Sequence, residues 1–318
     1  MKKVVVIYKS DDWDKKIPLE TAIPTRESFE DWHERGLKSG IAMYRASIQW
    51  YDLPKGVFKK AWAYRNRKWI KVKKPISPDL VFDKIAGKYG FELFALKQEI
   101  GKKVKIFNSP LFRTLLDSKL SQYLIFKEFM PNSFLAYSKK ELKSIIKKIK
   151  SSKVVIKPLY GSGGFGIQIK RKSKINYRLI SYPVLVQEFV SAKKGVPGFT
   201  KKSALADLRL VFMNHKLIYA LSRIAKKGSL FTNFHQGAKA VLVPRKYIPA
   251  TALRTARKIT DRIKIFPEAN YSIDFLFTDL GEPVLVEINT TPGFDLLRIV
   301  GDEKTKEKNF KEFIKVIP

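Results

Sequence analysis

The run Gly161-Ser162-Gly163-Gly164-Phe165-Gly166 constrains the fold more than any other part of this chain. It satisfies G-x-G-x-x-G, but a dinucleotide-binding turn must open a helix. Here Ile167-Gln168-Ile169-Lys170 alternates with period two and predicts a strand. A Walker A loop would close on Gly-Lys-Ser/Thr, and this one closes on Gly-Phe-Gly. The apolar run before it ends at Lys157, so the glycines connect two strands. Two readings stand: a bare glycine turn, or a flexible hairpin whose N–H groups close over phosphates. In protein kinases the phosphate-binding Lys follows the loop, whereas Lys157 precedes it.

Residues 271–293 carry the second constraint. Asp274 lies inside one β-rich run, Glu287 and Asn289 lie inside the next, and a short Gly-containing turn joins them. Period two places Glu287 and Asn289 on one face. Folding the hairpin about Leu280 brings Asp274 to within a residue of the position opposite Glu287. Two facing carboxylates repel and are costly to bury among apolar neighbours. A divalent cation removes both costs, and a set of oxygen donors suits Mg²⁺. The alternative is an amphipathic hairpin whose polar residues face solvent. Asp207 and Arg209 also share a strand face, Arg223 ends the next strand, and Asn233 follows in a loop.

A chain of 318 residues exceeds what one core usually supports, about 250–300 residues. Residues 1–110 predict an open α/β unit. In it 4–8 forms a strand, helical spacing covers 31–50 (Leu37, Ile41, Tyr44, Ile48), and 84–100 is helical between short strands. Residues 55–72 interleave Trp62, Tyr64 and Trp69 with basic residues. That pattern fits a hairpin with one packed face, or contact with nucleic acid. Further on, 112–126 is amphipathic and includes Lys119, Ser138 to Glu141 is a capping box, and 251–263 is helical. Cysteine is absent, the three His are scattered, and the apolar run at 4–8 is too short for a signal peptide, so a cytoplasmic location and no zinc site are expected. The net charge is +34, mostly from Lys. It reflects either a Lys-biased surface or attraction to an acidic protein, peptide or nucleic acid.

Taken in order, these features resemble the ATP-grasp superfamily over roughly 110–300. The nearest branch is that of ribosomal-protein glutamate ligases, glutathione synthetases and lysine-biosynthesis carrier ligases. The resemblance implies an α/β (α+β) chain with three units: an N-terminal open α/β domain over 1–110, an ATP-grasp subdomain with the glycine lid over 111–187, and a C-terminal subdomain with the metal site over 188–318. It implies that Lys119 and Lys157 contact ATP phosphates under a lid of Gly161, Ser162, Gly163, Gly164 and Gly166. Gln187, Glu188, Phe189 and Val190 form the adenine hinge, Asp207 is a ribose-side acid, and Arg223 is a phosphate-side arginine. Asp274, Glu287 and Asn289 hold one or two Mg²⁺ ions, while Arg209 and Asn233 face the substrate. The reaction implied is ATP-dependent ligation of a carboxylate to an amine through an acyl phosphate, releasing ADP and phosphate. A small-molecule kinase and a basic nucleic-acid-binding protein are the alternatives. Residues 192–202 form a basic connection longer than is usual in this branch, and 1–110 match no one substrate-specific member.

Overall fold

The computed structural model describes all residues except 86, 88–89, 162, 201–203, 233–236 and 301. The first unit comprises β1 (Lys2–Tyr8), α1 (Ile23–Lys38), β2 (Ile41–Ser47), the short pair β3 (Tyr51–Asp52) and β4 (Val57–Phe58), β5 (Ala61–Arg65), β6 (Lys68–Val72), β7 (Leu80–Asp83), α2 (Phe91–Gly101) and β8 (Ile106–Phe107). Its six-stranded sheet runs β6-β5-β2-β1-β7-β8, parallel from β2 to β8 with an antiparallel edge hairpin. The hairpin turns at Asn66 and Arg67, both at positive φ, which suits a two-residue connection. Its aromatic face is packed: Trp62 is buried, and Trp69 stacks beside His33 and Tyr64 and donates to Glu30 at 2.8 Å. Packing explains the aromatic interleaving without nucleic acid.

Three expectations need correction. The helical spacing over 31–50 spans two elements. Gly40, at φ +72°, follows the end of α1, and 41–47 is a strand. All seven of its residues are buried, and a strand covered on both faces has no alternation to distinguish it from a helix. The helix expected over 84–100 begins only at Phe91. The amphipathic stretch 112–126 divides into α3 (Pro110–Leu116) and α4 (Lys119–Phe126), because Ser118 caps the second helix through Ser121 N–H.

The second unit holds β9 (Ser133–Ala136), α5 (Lys139–Lys148), β10 (Lys153–Pro158), β11 (Gln168–Arg171) and β12 (Val184–Glu188), in the antiparallel order β11-β10-β12-β9. Ser138 caps α5 at Glu141 N–H, while the Glu141 carboxylate accepts from Tyr137 N–H rather than closing the box on Ser138. One sheet face, with Val154, Ile156, Val184 and Val186, packs beneath Leu142 and Ile146 of α5. The other face carries Val155, Lys157 and Gln187.

The third unit holds β13 (Ala206–Met213), β14 (Lys216–Ile224), β15 (Lys239–Leu242), α6 (Ala250–Ile263), β16 (Asn270–Phe277) and β17 (Pro283–Asn289), followed by α7 (Asp295–Val300) and α8 (Glu303–Ile314). Its sheet runs β15-β14-β13-β16-β17. α6 packs Ala252, Ala256, Ile259 and Ile263 on one face, as its periodicity predicts. Val211, Met213 and Leu221 join Val4, Val6 and Phe82 of the first sheet in a shared core, closed by Phe310 and Phe313 of α8. Trp32 stacks on Phe294 at 4.1 Å in the same core.

Lys84 crosses this junction, donating to Pro292 carbonyl at 2.8 Å between the Phe82 and Phe294 rings. Burial, then the neighbouring Arg113 charge, push its ammonium from near 10.5 down to about 7. Between those values the unfolded chain holds a proton that the folded chain lacks, so stability rises with pH through this window. Lys84→Met keeps the packing and should flatten that rise, as read by thermal unfolding from pH 7 upward. An unchanged slope would show that Lys84 titrates normally.

Candidate active site

The third sheet aligns its charged residues by register. Asp274 pairs directly with Glu287 on one side and Arg209 on the other, and Asp207 pairs with Arg223. Adjacent partners share a face, so five charged side chains line one surface. Arg209 grips Asp274 through two bonds of 2.8 and 2.7 Å. Arg223 bridges Asp274 at 2.7 Å and Asp207 at 3.0 and 3.1 Å, and Thr232 donates to Asp207 at 2.7 Å. Burial alone would raise the Asp274 carboxyl, but Arg209 and Arg223 overcome it and hold the group at about 2. Asp207 is buried with both oxygens engaged, so it orients Arg223 in this geometry.

Glu287 is the more open carboxylate, with a quarter of its side chain exposed. Lys119, at the first turn of α4, reaches it at 3.0 Å and also donates to Gly161 carbonyl at 2.7 Å. One ammonium thus joins the lid, the helix and the carboxylate hairpin. Lys157 points to the same place, 3.5 Å from Val286 carbonyl. Burial and, more weakly, repulsion from Lys119 bring it down to about 8 against the pull of Glu287. A buried ammonium with no carboxylate directly on it favours an added anion. Gly161, Gly163, Gly164 and Gly166 all have positive φ, which explains the glycines: only they make this loop without strain.

Between the second and third sheets lies a largely apolar cleft. Val155, Ile169, Leu276 and Val286 form its walls, with Lys157 at one side and Gln187, Glu188, Phe189 and Val190 along its rim. Gln187 is fixed by Ser133 at 2.9 Å, and Asn132 donates to Glu188 at 3.2 Å. A second, polar pocket adjoins Glu287 and Asn289 and includes Gly161, Asp117, Gln122 and Thr290. The sequence reading missed its members on α3 and α4. Gln122 donates to Ile288 carbonyl and accepts from Ile288 N–H, both at 2.8 Å, which fixes β17 in place. Asp117 is bound by Arg113 at 2.9 Å and by the Thr290 hydroxyl. The available signal was the position of both residues within three of Lys119. Ser162, Asn233 and His235 lie outside the described residues.

The donor set fits a hard cation. Glu287 and Asn289 offer oxygen from one strand face, Asp274 on the neighbouring strand would join them by sharing an oxygen held by Arg209 and Arg223, and Ser272 pairs in register with Asn289. The Asn289 amide oxygen accepts from Thr291 N–H at 2.9 Å, which orients it. Among the described residues no group of three or more His, Cys, Asp or Glu is placed to hold a metal ion. No described helix is long and apolar enough to cross a membrane.

A glycine loop on one antiparallel sheet and a carboxylate hairpin on another flank an apolar cleft, as the ATP-grasp class requires. The chain belongs to the RimK-like ATP-grasp domain family, whose model matches residues 117–308. It is 29% identical over 173 residues to a probable alpha-L-glutamate ligase of Vibrio parahaemolyticus, an alignment covering 52% of each chain. It is also 29% identical over 192 residues to a protein of the same description from Vibrio atlanticus, covering 58% of this chain and 56% of that one. The chain thus spans about half the length of the curated relatives it matches. In fold it is similar to D-alanyl-alanine synthetase A of Vibrio cholerae, with TM-score 0.64, 15% identity and 99% and 98% of the two chains covered. It is similar too to a RiPP-associated ATP-grasp ligase of Chryseobacterium gregarium solved with ADP and a leader and core peptide, with TM-score 0.63, 16% identity and coverage of 100% and 96%.

Proposed function

We propose that this protein is an ATP- and Mg²⁺-dependent carboxylate–amine ligase that works through an acyl phosphate. The observation that carries the reading is Lys119, which bonds both Glu287 and the Gly161 carbonyl, beside Lys157, which lines the apolar cleft next to Val286. Adenine would lie in the cleft against Val155 and Ile169, with Glu188 to Val190 at its edge. The phosphates would then run toward Lys157 and Lys119 beneath the glycines.

Asp274, Glu287 and Asn289 would hold Mg²⁺, which when bound neutralises charge on the transferring phosphoryl group. The chain's own residues do the remaining work. Lys119 and Lys157 neutralise the phosphate oxygens, and the lid excludes water that would hydrolyse the activated acid. The carboxylate oxygen of the substrate bonds to the γ-phosphorus as ADP leaves. The amine nitrogen then bonds to the carbonyl carbon, and phosphate departs with that oxygen. Arg209 and Arg223, in this reading, stabilise the tetrahedral oxyanion. Asn233 is proposed to contact the substrate, and Ser162 to complete the lid.

In this reading 111–187 provides the lid and 188–318 carries the metal site. The charge of +34 favours an acidic peptide or carrier protein as one substrate, and the absence of cysteine fits a cytoplasmic setting. Relatives described as ligases support amide formation over phosphorylation of a hydroxyl or binding of nucleic acid. The test is a screen of acid and amine pairs, glutamate-rich peptides included, with ATP and Mg²⁺. ADP and phosphate should appear only when both partners are present, and release of AMP and pyrophosphate would refute the proposal.

A further inference from the structure

The positive charge is unevenly distributed. Residues 133–188, the second sheet with α5 at the core of the lid unit, carry 13 Lys and Arg against two Glu, whereas the rest of the chain carries 50 against 27. Ten of the 13 cations are exposed. Every ion pair found among the described residues lies outside this unit, the 2.8 Å Arg35–Asp31 and 2.6 Å Lys105–Glu268 pairs among them. Its own acids do not compensate: Glu141 serves Tyr137 N–H, and Glu188 accepts from Asn132.

The placement carries a cost. Lys139, Lys143 and Lys147 follow one another at i, i+4 spacing along α5, where like charges destabilise a helix. Lys139 and Lys140 also occupy the first turn, against the helix dipole. A merely solubilising surface would mix both signs, as the other two units do.

The cations also form one continuous face. The Lys139 and Lys143 ammonium groups both lie 5.8 Å from the centre of the Tyr177 ring, beside Arg178. At the other end Lys172 bonds Ile149 carbonyl, and Lys170, which pairs with Val154, lies on the α5 side of the sheet. This face covers the side of the sheet opposite Val155 and Lys157, so an occupant would leave the nucleotide cleft open.

We propose that the outer face of the lid unit is a docking surface for an acidic polypeptide segment, which it holds while the opposite face works on ATP. Lys outnumbers Arg 11 to two, and mobile ammonium groups suit flexible carboxylates, whereas nucleic-acid recognition favours the guanidinium fork. Tyr177, the aromatic ring within the face, is covered by the two lysines and is not offered to bases. The proposal rests on the ligase reading for why a polypeptide is bound.

A fluorescent deca-glutamate peptide tests it by anisotropy at low and physiological salt. The variant Lys139→Gln/Lys143→Gln/Lys147→Gln keeps helix propensity. It should weaken peptide binding about tenfold, three surface contacts at the strength of exposed ion pairs. ADP binding, which reports a folded site, should be unchanged. The control Lys55→Gln/Lys73→Gln/Lys74→Gln removes the same charge from the first unit and should weaken peptide binding less than about twofold. Equal losses in the two variants would overturn the proposal, because net charge alone would then explain binding. Displacement of the peptide by decauridylate at lower concentration than by unlabelled peptide would overturn it in favour of nucleic acid. The assay needs no turnover, so its failure leaves the ligase reading standing. Intact peptide binding without ligase activity would count against that reading alone.

Discussion

Glu287→Ala should lower turnover by about two to three orders of magnitude, the usual scale for removing a group that stabilises transition-state charge. The fold should survive, because Glu287 is partly exposed and its one ion pair among the described residues is to Lys119. The same change frees Lys119 from its carboxylate while leaving its bond to Gly161 carbonyl. ATP binding should therefore persist, with weakened dependence on Mg²⁺, and the loss should fall on kcat. Steady-state kinetics at varied Mg²⁺, beside a melting curve, checks this. Normal turnover in a folded Glu287→Ala protein would remove Glu287 from the metal site.

Asp274→Ala should fail differently. Asp274 is buried and lies between two arginines whose positive charges it balances. Removing it leaves Arg209 with no ion pair among the described residues and Arg223 with Asp207 alone. Breaking a buried pair of this kind costs about 3–5 kcal/mol. The protein should melt well below the parent, whereas Glu287→Ala should not. The pH dependence follows from the same contacts. The Asp274 carboxyl is held at about 2, below its ordinary 3.8, so its contribution to stability is complete above 3.8 and disappears as pH falls through 2. A melting temperature for Asp274→Ala close to the parent's would show that the arginines are satisfied by other means.

Much of this site could be read from the chain. Lys157, the glycines and the following strand are local in sequence, and period two alone excluded a Rossmann turn. The carboxylate hairpin was legible for the same reason: a short turn fixes register, and Asp274 does pair with Glu287. What escaped the sequence depends on long-range pairing. Arg209 and Asp207 were visible as neighbours on one strand, but only the order β14-β13-β16 shows that Arg223 bridges two carboxylates 67 residues apart in the chain. Gln122 lies on α4 and Asp117 at the end of α3, on either side of a break at Ser118 that depends on a single cap. β2 was misread because burial on both faces erases the alternation that marks a strand.

The central claim is that a substrate carboxylate is activated by phosphorylation. For any acid and amine pair that the screen identifies, the acid can be supplied with ¹⁸O in both carboxylate oxygens and the released phosphate examined by mass spectrometry. The account predicts one ¹⁸O in each phosphate and one retained in the amide, because the oxygen that attacks the γ-phosphorus leaves with it. Phosphate free of ¹⁸O, or label recovered in AMP or in a stable phosphorylated product, would contradict it.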